Sequence, residues 1–336
     1  MSRPTGDDDW IDAYEESLDQ KESGHKPRTK RRPRHEDAEK ALVVGVDRGR
    51  YRLQLESGTA ITANRAKELR REAVVVGDHV DVVGDLSGEE GTLGRVVRIH
   101  PRRNVLRRSA DDTDQFERVI VANADQLLMV VATQDPEPRT RLIDRYLVAA
   151  LDAGITPILC ITKTDLAPAD ALESYANGAG IESFSLRSDG EPDDLENLRD
   201  TLTDRTTVAV GHSGVGKSTL VNRLVPGASR DVGGVNVHTG RGRHTSSSSR
   251  ALPLEQGGWI IDTPGVRSFG LGHVTPEAID QGFPDLQEYL SQCPRGCQHQ
   301  EPDVDCALRS AADGADSTTA ARIDSLIRLR ALAGSS

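Results

Sequence analysis

From Ala41 onward the chain breaks into short apolar runs separated by glycine, aspartate and charged turns. ALVVGV, YRLQLE, GTAITA, HVDVVGD and GTLGRVVRIH follow one another over 41–103. Five β-rich segments at this density predict a small antiparallel barrel, with an oligonucleotide-binding (OB) fold as the leading candidate. The same pattern also fits a small barrel with no nucleic-acid role. Beyond a polar connector near 104–118, the pattern changes to alternating strands and helices. Leu127 to Thr133 (LLMVVAT) reads as a buried parallel strand. Leu142, Ile143, Tyr146, Leu147, Ala150 and Leu151 mark one face of a helix that Gly154 stops. A strand at 156–161, helices near 168–177 and 192–204, and strands at 181–186 and 206–210 complete a doubly wound α/β domain over 104–272. Residues 273–336 hold clustered cysteines and a final amphipathic helix around Ile323, Leu326 and Ile327. Residues 1–40 lack hydrophobic periodicity and carry charge blocks, which predicts a disordered tail.

Composition narrows the class. At 36% hydrophobic and 28% charged, the chain reads as soluble and globular, and 3% aromatic residues leave its cores to Val, Leu, Ile and Ala. No apolar run approaches the roughly 20 residues that cross a bilayer. The acidic start, MSRPTGDDDW, lacks the apolar stretch of a secretory signal, so a cytoplasmic protein without a membrane partner is expected. Four cysteines are too few for a disulfide scaffold. The net charge of −11 argues against general polyanion binding, yet Lys26 to His35 is strongly basic, and Arg98, Arg102, Arg103, Arg107 and Arg108 form a second cluster. Such clusters neutralise phosphates. For the tail, a merely solvated charged segment is an equal alternative; for the second cluster the functional reading is favoured.

The sharpest chemical signal is Gly211-His212-Ser213-Gly214-Val215-Gly216-Lys217-Ser218, followed by Thr219. It matches GxxxxGK(S/T), with an apolar strand before it and a helix after it. Glycines let main-chain N–H groups converge on phosphate oxygens, and the helix N-terminus adds partial positive charge. Lys217 is expected to reach the β- and γ-phosphates and Ser218 to ligate Mg²⁺. Downstream, the apolar strand Trp259-Ile260-Ile261 ends in Asp262-Thr263-Pro264-Gly265. Asp262 is expected to hold Mg²⁺, and the Gly265 N–H to sense the γ-phosphate.

Upstream, Thr162-Lys163-Thr164-Asp165 ends another apolar strand and is similar to the guanine motif Asn-Lys-x-Asp. A carboxylate at Asp165 accepts from guanine N1–H and the 2-amino group, donors that adenine lacks. Lys163 can lay its methylenes over the base. Ser185 and Leu186, ending the next strand, are candidates for a main-chain contact to the 6-oxo group. In ordinary GTPases the phosphate loop precedes the guanine motif; here the guanine motif comes first and DTPG last, the mark of a circular permutation. Residues 227–250 are rich in Gly, Ser, Arg and His and read as a switch. Thr245 is the candidate Mg²⁺-sensing hydroxyl, with Ser246 or Ser247 as alternates, and His244 the candidate for positioning the attacking water. Val266 stands where many GTPases carry a water-orienting Gln, so slow intrinsic hydrolysis is expected.

Cys293, Cys297, His299 and Cys306 pack three thiols and an imidazole into a short segment, a Cys₃His set suited to one closed, structural zinc site. Cys160, within an apolar strand, reads as core.

The barrel, the permuted GTPase segment and the cysteine module together resemble the small ribosomal subunit biogenesis GTPases, the RsgA or YjeQ family. The resemblance covers about 41–333 and rests on PRRNVLRR, VANADQLLMVVAT, IDRYL, ITKTDL, GHSGVGKSTLVNRL, GRGRHT, DTPGVRSFG and the cysteine cluster. It implies an OB-fold barrel at 41–103, zinc on Cys293, Cys297, His299 and Cys306, and GTP hydrolysis stimulated by the small ribosomal subunit late in its maturation. It also implies contacts to ribosomal RNA from barrel and finger. GTP or GDP and the small subunit are the expected partners of a monomer. Thr162 departs from the family's Asn, the cysteine spacing is shifted by one residue, and the charged tail is longer than the family core.

Overall fold

The computed structural model describes residues 35–47, 49–69, 72–109, 117–189, 193–226, 249–263, 269, 271, 273–299 and 305–333. Five strands build the barrel: β1 (Glu39–Asp47), β2 (Arg50–Leu55), β3 (Ala60–Arg65), β4 (His79–Gly84) and β5 (Gly94–Ile99). Four seams are antiparallel, and the β3–β5 seam, which closes the ring, is parallel. Alternate residues point inward, so Val43, Leu53, Ile61, Val80, Val82 and Val96 fill the interior.

The connector expected near 104–118 is in its described part a ribbon, β6 (Val105–Ser109) against β7 (Glu117–Ala122). Leu106 and Val121 face each other across it and are buried, while the flanking charges masked their alternation. The ribbon ties the barrel down. Asn123, buried, donates from Nδ2 to the Gly77 carbonyl at 2.9 Å and accepts the Arg103 N–H at 2.8 Å. Gly77 has φ +89°, and a Cβ there would lie 2.0 Å from the Ala122 carbonyl oxygen. Gly77→Ala is therefore expected to cost about 2–3 kcal/mol or more, from left-handed strain plus overlap. An unchanged urea midpoint would contradict this packing.

Part of the second arginine cluster is engaged within the chain. Arg102 forks onto the fully buried Asp78 at 2.7 and 2.8 Å. Arg103 pairs with Asp125 and Arg98 with Asp81, each at 2.9 Å. Three of the five arginines thus pair with carboxylates of this chain: Arg98 and Arg102 within the barrel segment, and Arg103 across the junction to the α/β domain.

The α/β domain comprises β8 (Gln126–Ala132), α1 (Thr140–Asp152), β9 (Thr156–Thr162), α2 (Asp170–Ala179), β10 (Glu182–Ser185), α3 (Leu195–Leu202), β11 (Thr206–Gly211), α4 (Lys217–Leu224), β12 (Arg250–Pro253) and β13 (Trp259–Asp262). Sheet order is β10-β9-β8-β11-β13-β12, with only the edge strand β12 antiparallel. All of β8 is buried because both faces are covered. Leu127, Met129 and Val131 meet α1 and α2, whereas Leu128, Val130 and Ala132 meet α3 and α4. Arg250, read from sequence as the end of a loop, opens β12 and pairs with Gly45 of β1, so one eleven-stranded sheet runs from the α/β domain into the barrel.

Among the described residues, four C-terminal α-helices follow: α5 (Pro276–Asp280), α6 (Gln287–Gln292), α7 (Ala307–Gly314) and α8 (Ser317–Ala333). Only the last was expected, since the others are too short to show a period. α8 buries Ile323, Leu326 and Leu329 in the core shared with α1 and α2. It approaches α2 closely: a Cβ on Gly178 would sit 3.3 Å from the Ala321 methyl. Buried Asp144 of α1 accepts from the Tyr175 hydroxyl at 2.7 Å and from Arg328 at 3.0 Å. Among the described residues, no helix is long and apolar enough to cross a membrane.

Candidate nucleotide site and metal centre

Three parallel strands deliver the candidate residues to one edge of the sheet. β11 runs into the loop 211–216, and α4 starts at Lys217. Gly214 and Gly216 have φ +86° and +90°, the left-handed turn that aims successive N–H groups into the loop. Ser218 and Thr219, in the first turn of α4, are exposed, where helix N–H groups lack intrahelical partners. His212 places Nδ1 3.0 Å from the Ser213 carbonyl oxygen. The neighbouring strand β13 ends at Asp262, whose carboxylate forms an ion pair with the Lys217 ammonium. The Thr263 hydroxyl donates to the Ala209 carbonyl at 2.8 Å and locks the two strand ends together.

The guanine-motif residues lie beside this loop. Thr162 is buried, and its hydroxyl donates to the Val215 carbonyl at 2.6 Å. The threonine that departs from the family's Asn therefore still braces the phosphate loop. Lys163 adopts φ +60°, its carbonyl accepts from the Thr133 hydroxyl at 2.6 Å, and its ammonium donates to the Asp135 carbonyl. The Thr164 hydroxyl donates to the Leu186 carbonyl at 3.2 Å. Asp165 accepts from the Ser188 hydroxyl at 2.6 Å and the Ser188 N–H at 2.7 Å, and these bonds hold its carboxyl below the usual range. Sequence reading missed Ser188; its signal is a hydroxyl in the polar turn after β10, the strand beside β9. Ser185 and Leu186 already donate their N–H groups to Asp194 and Ile161, at 2.8 and 2.7 Å. A contact from them to a 6-oxo group would require giving up those bonds. His244, Thr245, Ser246, Ser247, Gly265 and Val266 lie outside the described residues. Just beyond them, Phe269 is buried and meets Tyr146 of α1 edge-on at 5.5 Å.

Cys293, Cys297, His299 and Cys306 converge, with their ligand atoms all within 4.8 Å of one another. His299 turns Nδ1 toward the three sulfurs, at 3.6, 3.4 and 3.4 Å respectively. Its φ of +57° and the turn at 294–297 bring the donors together. Burial, with Cys306 alongside, pushes the Cys297 thiol up to about 12. A bound cation reverses that preference, because coordination deprotonates the thiol. The four groups could hold one metal ion. Cys160 is buried in β9, as expected for a core residue.

Comparison with known proteins converges on one family. The RsgA GTPase family model matches residues 99–272. The small ribosomal subunit biogenesis GTPase RsgA of Chromohalobacter salexigens is 43% identical over 265 residues, 76% of this chain and 74% of that protein. The protein of the same name from Hahella chejuensis is 34% identical over 330 residues, 90% of each. Among solved structures, YjeQ from Thermotoga maritima matches with TM-score 0.65 at 22% identity, over 89% of this chain and 99% of that one. YloQ, described as a circularly permuted GTPase, matches with TM-score 0.62 at 25% identity, over 92% and 98%. With the phosphate loop following the guanine motif on a shared sheet, the chain belongs to the RsgA GTPase family and is a GTP hydrolase on a circularly permuted P-loop domain.

Proposed function

We propose that this protein is a GTPase of small ribosomal subunit biogenesis, switched on by the subunit itself late in maturation. The observation that carries this reading is the meeting of Lys217, Asp262 and the Thr162-braced phosphate loop at one sheet edge, in a chain whose relatives bear that name. Lys217 contacts the β- and γ-phosphates, the main-chain N–H groups of 211–219 cradle them, and Asp165 selects guanine. Ser218, Thr245 and Asp262 would hold Mg²⁺, which when bound neutralises charge on the phosphate oxygens. Without nucleotide, Lys217 and Asp262 satisfy each other; on binding, Lys217 turns to the phosphates and Asp262 to the metal side. His244 orients water and the Gly265 N–H reads the γ-phosphate. Val266 cannot orient water, so free-protein turnover is slow.

We assign the barrel (41–103) and the C-terminal module (273–336) to ribosomal RNA contacts, and 104–272 to nucleotide chemistry, in a cytoplasmic monomer. Zinc fits the Cys₃His centre. Tetrahedral Zn–S of about 2.3 Å and Zn–N of about 2.0–2.1 Å require S···N near 3.6 Å, and the separations of 3.4–3.6 Å support it.

GTP hydrolysis measured with and without purified small subunits tests the proposal. A slow basal rate rising at least about tenfold is expected, since completing such a site in trans has large effects. An unchanged rate would favour the second reading suggested by Val266, an RNA-binding switch whose turnover is incidental. Asp165→Asn is expected to weaken GTP about a hundredfold, from a lost charge-assisted pair and an unpaired base edge, and to admit xanthosine nucleotides. Unchanged GTP affinity would remove Asp165 from the base site.

A further inference from the structure

The barrel and the α/β sheet meet in a row of unusual composition. Gly45 of β1 pairs with Arg52 of β2 on one side and with Arg250 of β12 on the other. Cross-strand partners project from the same face, so two arginines, one from each domain, flank a residue with no side chain. Arg52 leans over the gap, its Cβ, Nε and Cδ 3.6, 3.7 and 3.8 Å from where a Gly45 Cβ would be. The Nε of Arg250 is buried and has no hydrogen-bond partner among the described residues. Burial and the nearby Arg52 charge both disfavour the Arg250 cation, and the neighbouring Asp47 carboxylate offsets them only in part. The basic surface continues outward: exposed Arg50 pairs in register with Asn64, and Asn64 with exposed Arg95.

We propose that Arg52 and Arg250 form a phosphate notch floored by Gly45, which grips one backbone phosphate of the RNA on which the protein docks. A guanidinium offers paired donors that match phosphate oxygens, and a phosphate here relieves both the like-charge contact and the orphaned N–H. The partner is RNA rather than a small anion because the notch opens on a shallow face extended by Arg50 and Arg95, along the strands by which this barrel type binds oligonucleotides. The notch spans the domain junction, so an engaged phosphate bonds the barrel directly to β12. This rests on the proposed function, and the test separates the two.

Binding of the full chain to purified small subunits is measured from 50 to 200 mM salt, with a non-hydrolysable GTP analogue, for wild type, Arg52→Gln, Arg250→Gln and the double variant. Each single variant is expected to flatten the slope of log K against log salt by about 0.7–0.9, one phosphate contact. The double variant is expected to lose less affinity than the product of the two singles, because both arms hold one phosphate. Arg250→Lys is expected to restore the slope but not the full affinity, and nucleotide affinity, unchanged throughout, reports an intact fold. Wild-type slope and affinity in Arg250→Gln, or strictly multiplicative losses, overturn the notch while leaving subunit binding in place. A wild-type chain with no salt-dependent affinity for subunits overturns the proposed function and the notch together.

Discussion

Lys217→Ala is expected to remove measurable GTP hydrolysis and to weaken GTP binding by about two orders of magnitude or more. A charge-assisted bond to phosphate is worth about 1.5–3 kcal/mol, and each 1.4 kcal/mol is a factor of ten. The structure adds a second term. The Lys217 ammonium is paired with Asp262 at the edge of the loop, with side-chain exposures of 12% and 30%. Removing the lysine leaves that carboxylate facing the phosphates with no cation beside it. A double variant, Lys217→Ala with Asp262→Asn, is therefore expected to bind GTP more tightly than Lys217→Ala alone when Mg²⁺ is absent. Titration with a fluorescent GTP analogue, with and without Mg²⁺, measures both effects. Wild-type affinity in Lys217→Ala would rule out the phosphate-loop assignment.

Cys297→Ser is expected to take bound zinc from one per chain to nearly none and to lower the thermal midpoint by about 5–10 °C, the shift that a loss of about 3 kcal/mol produces in a chain of this size. The loss spreads because the candidate metal ligands are not on a separate appendage. Cys306 and Leu308 belong to the same core as Ile143, Tyr146 and Leu326, so a module that cannot close exposes apolar surface on α1 and α8. GTP affinity is expected to stay within a few-fold of wild type. The helix after the phosphate loop packs Leu220, Val221 and Leu224 into the core on the other face of the sheet, away from the module. Metal analysis paired with calorimetry decides the matter: retained zinc would exclude Cys297 from the ligand set.

What could be read from the chain, and what could not, divides along the range of the interactions. The candidate phosphate loop is local: left-handed backbone at Gly214 and Gly216 lies within six residues, so the strand–loop–helix was legible from spacing. β8 was legible because a strand buried on both faces must be apolar throughout. The β6–β7 ribbon was hidden, since Leu106 is the one buried residue described in β6 and arginines follow it, while β7 buries Val121 and Ala122 only at its end. β12 is four residues long, too short for any period. The pairings of Arg102 and Arg103 could not be read from the chain because their acids, Asp78 and Asp125, lie more than 20 residues away in sequence. Thr162 gave the opposite lesson: it departs from the motif, yet its hydroxyl still donates to the Val215 carbonyl in the phosphate loop. Ser188, which holds Asp165, sits in a turn that no motif marks.

The permuted order of the sheet also dictates when the catalytic edge can exist during synthesis. β8, β9 and β10 emerge first and pair with one another, leaving β8 with an open edge until β11 arrives. Even then β11 lacks its other neighbour, because β13 is encoded some fifty residues later and brings Asp262 with it. α8, which covers the face of α1 and α2, comes last of all. Ribosome-bound chains halted before residue 259 therefore carry the whole phosphate loop on an exposed strand edge, a template for pairing with other chains. Nascent chains of this protein should depend on chaperone protection over that interval, and nucleotide capture should begin only after Asp262 has cleared the exit tunnel.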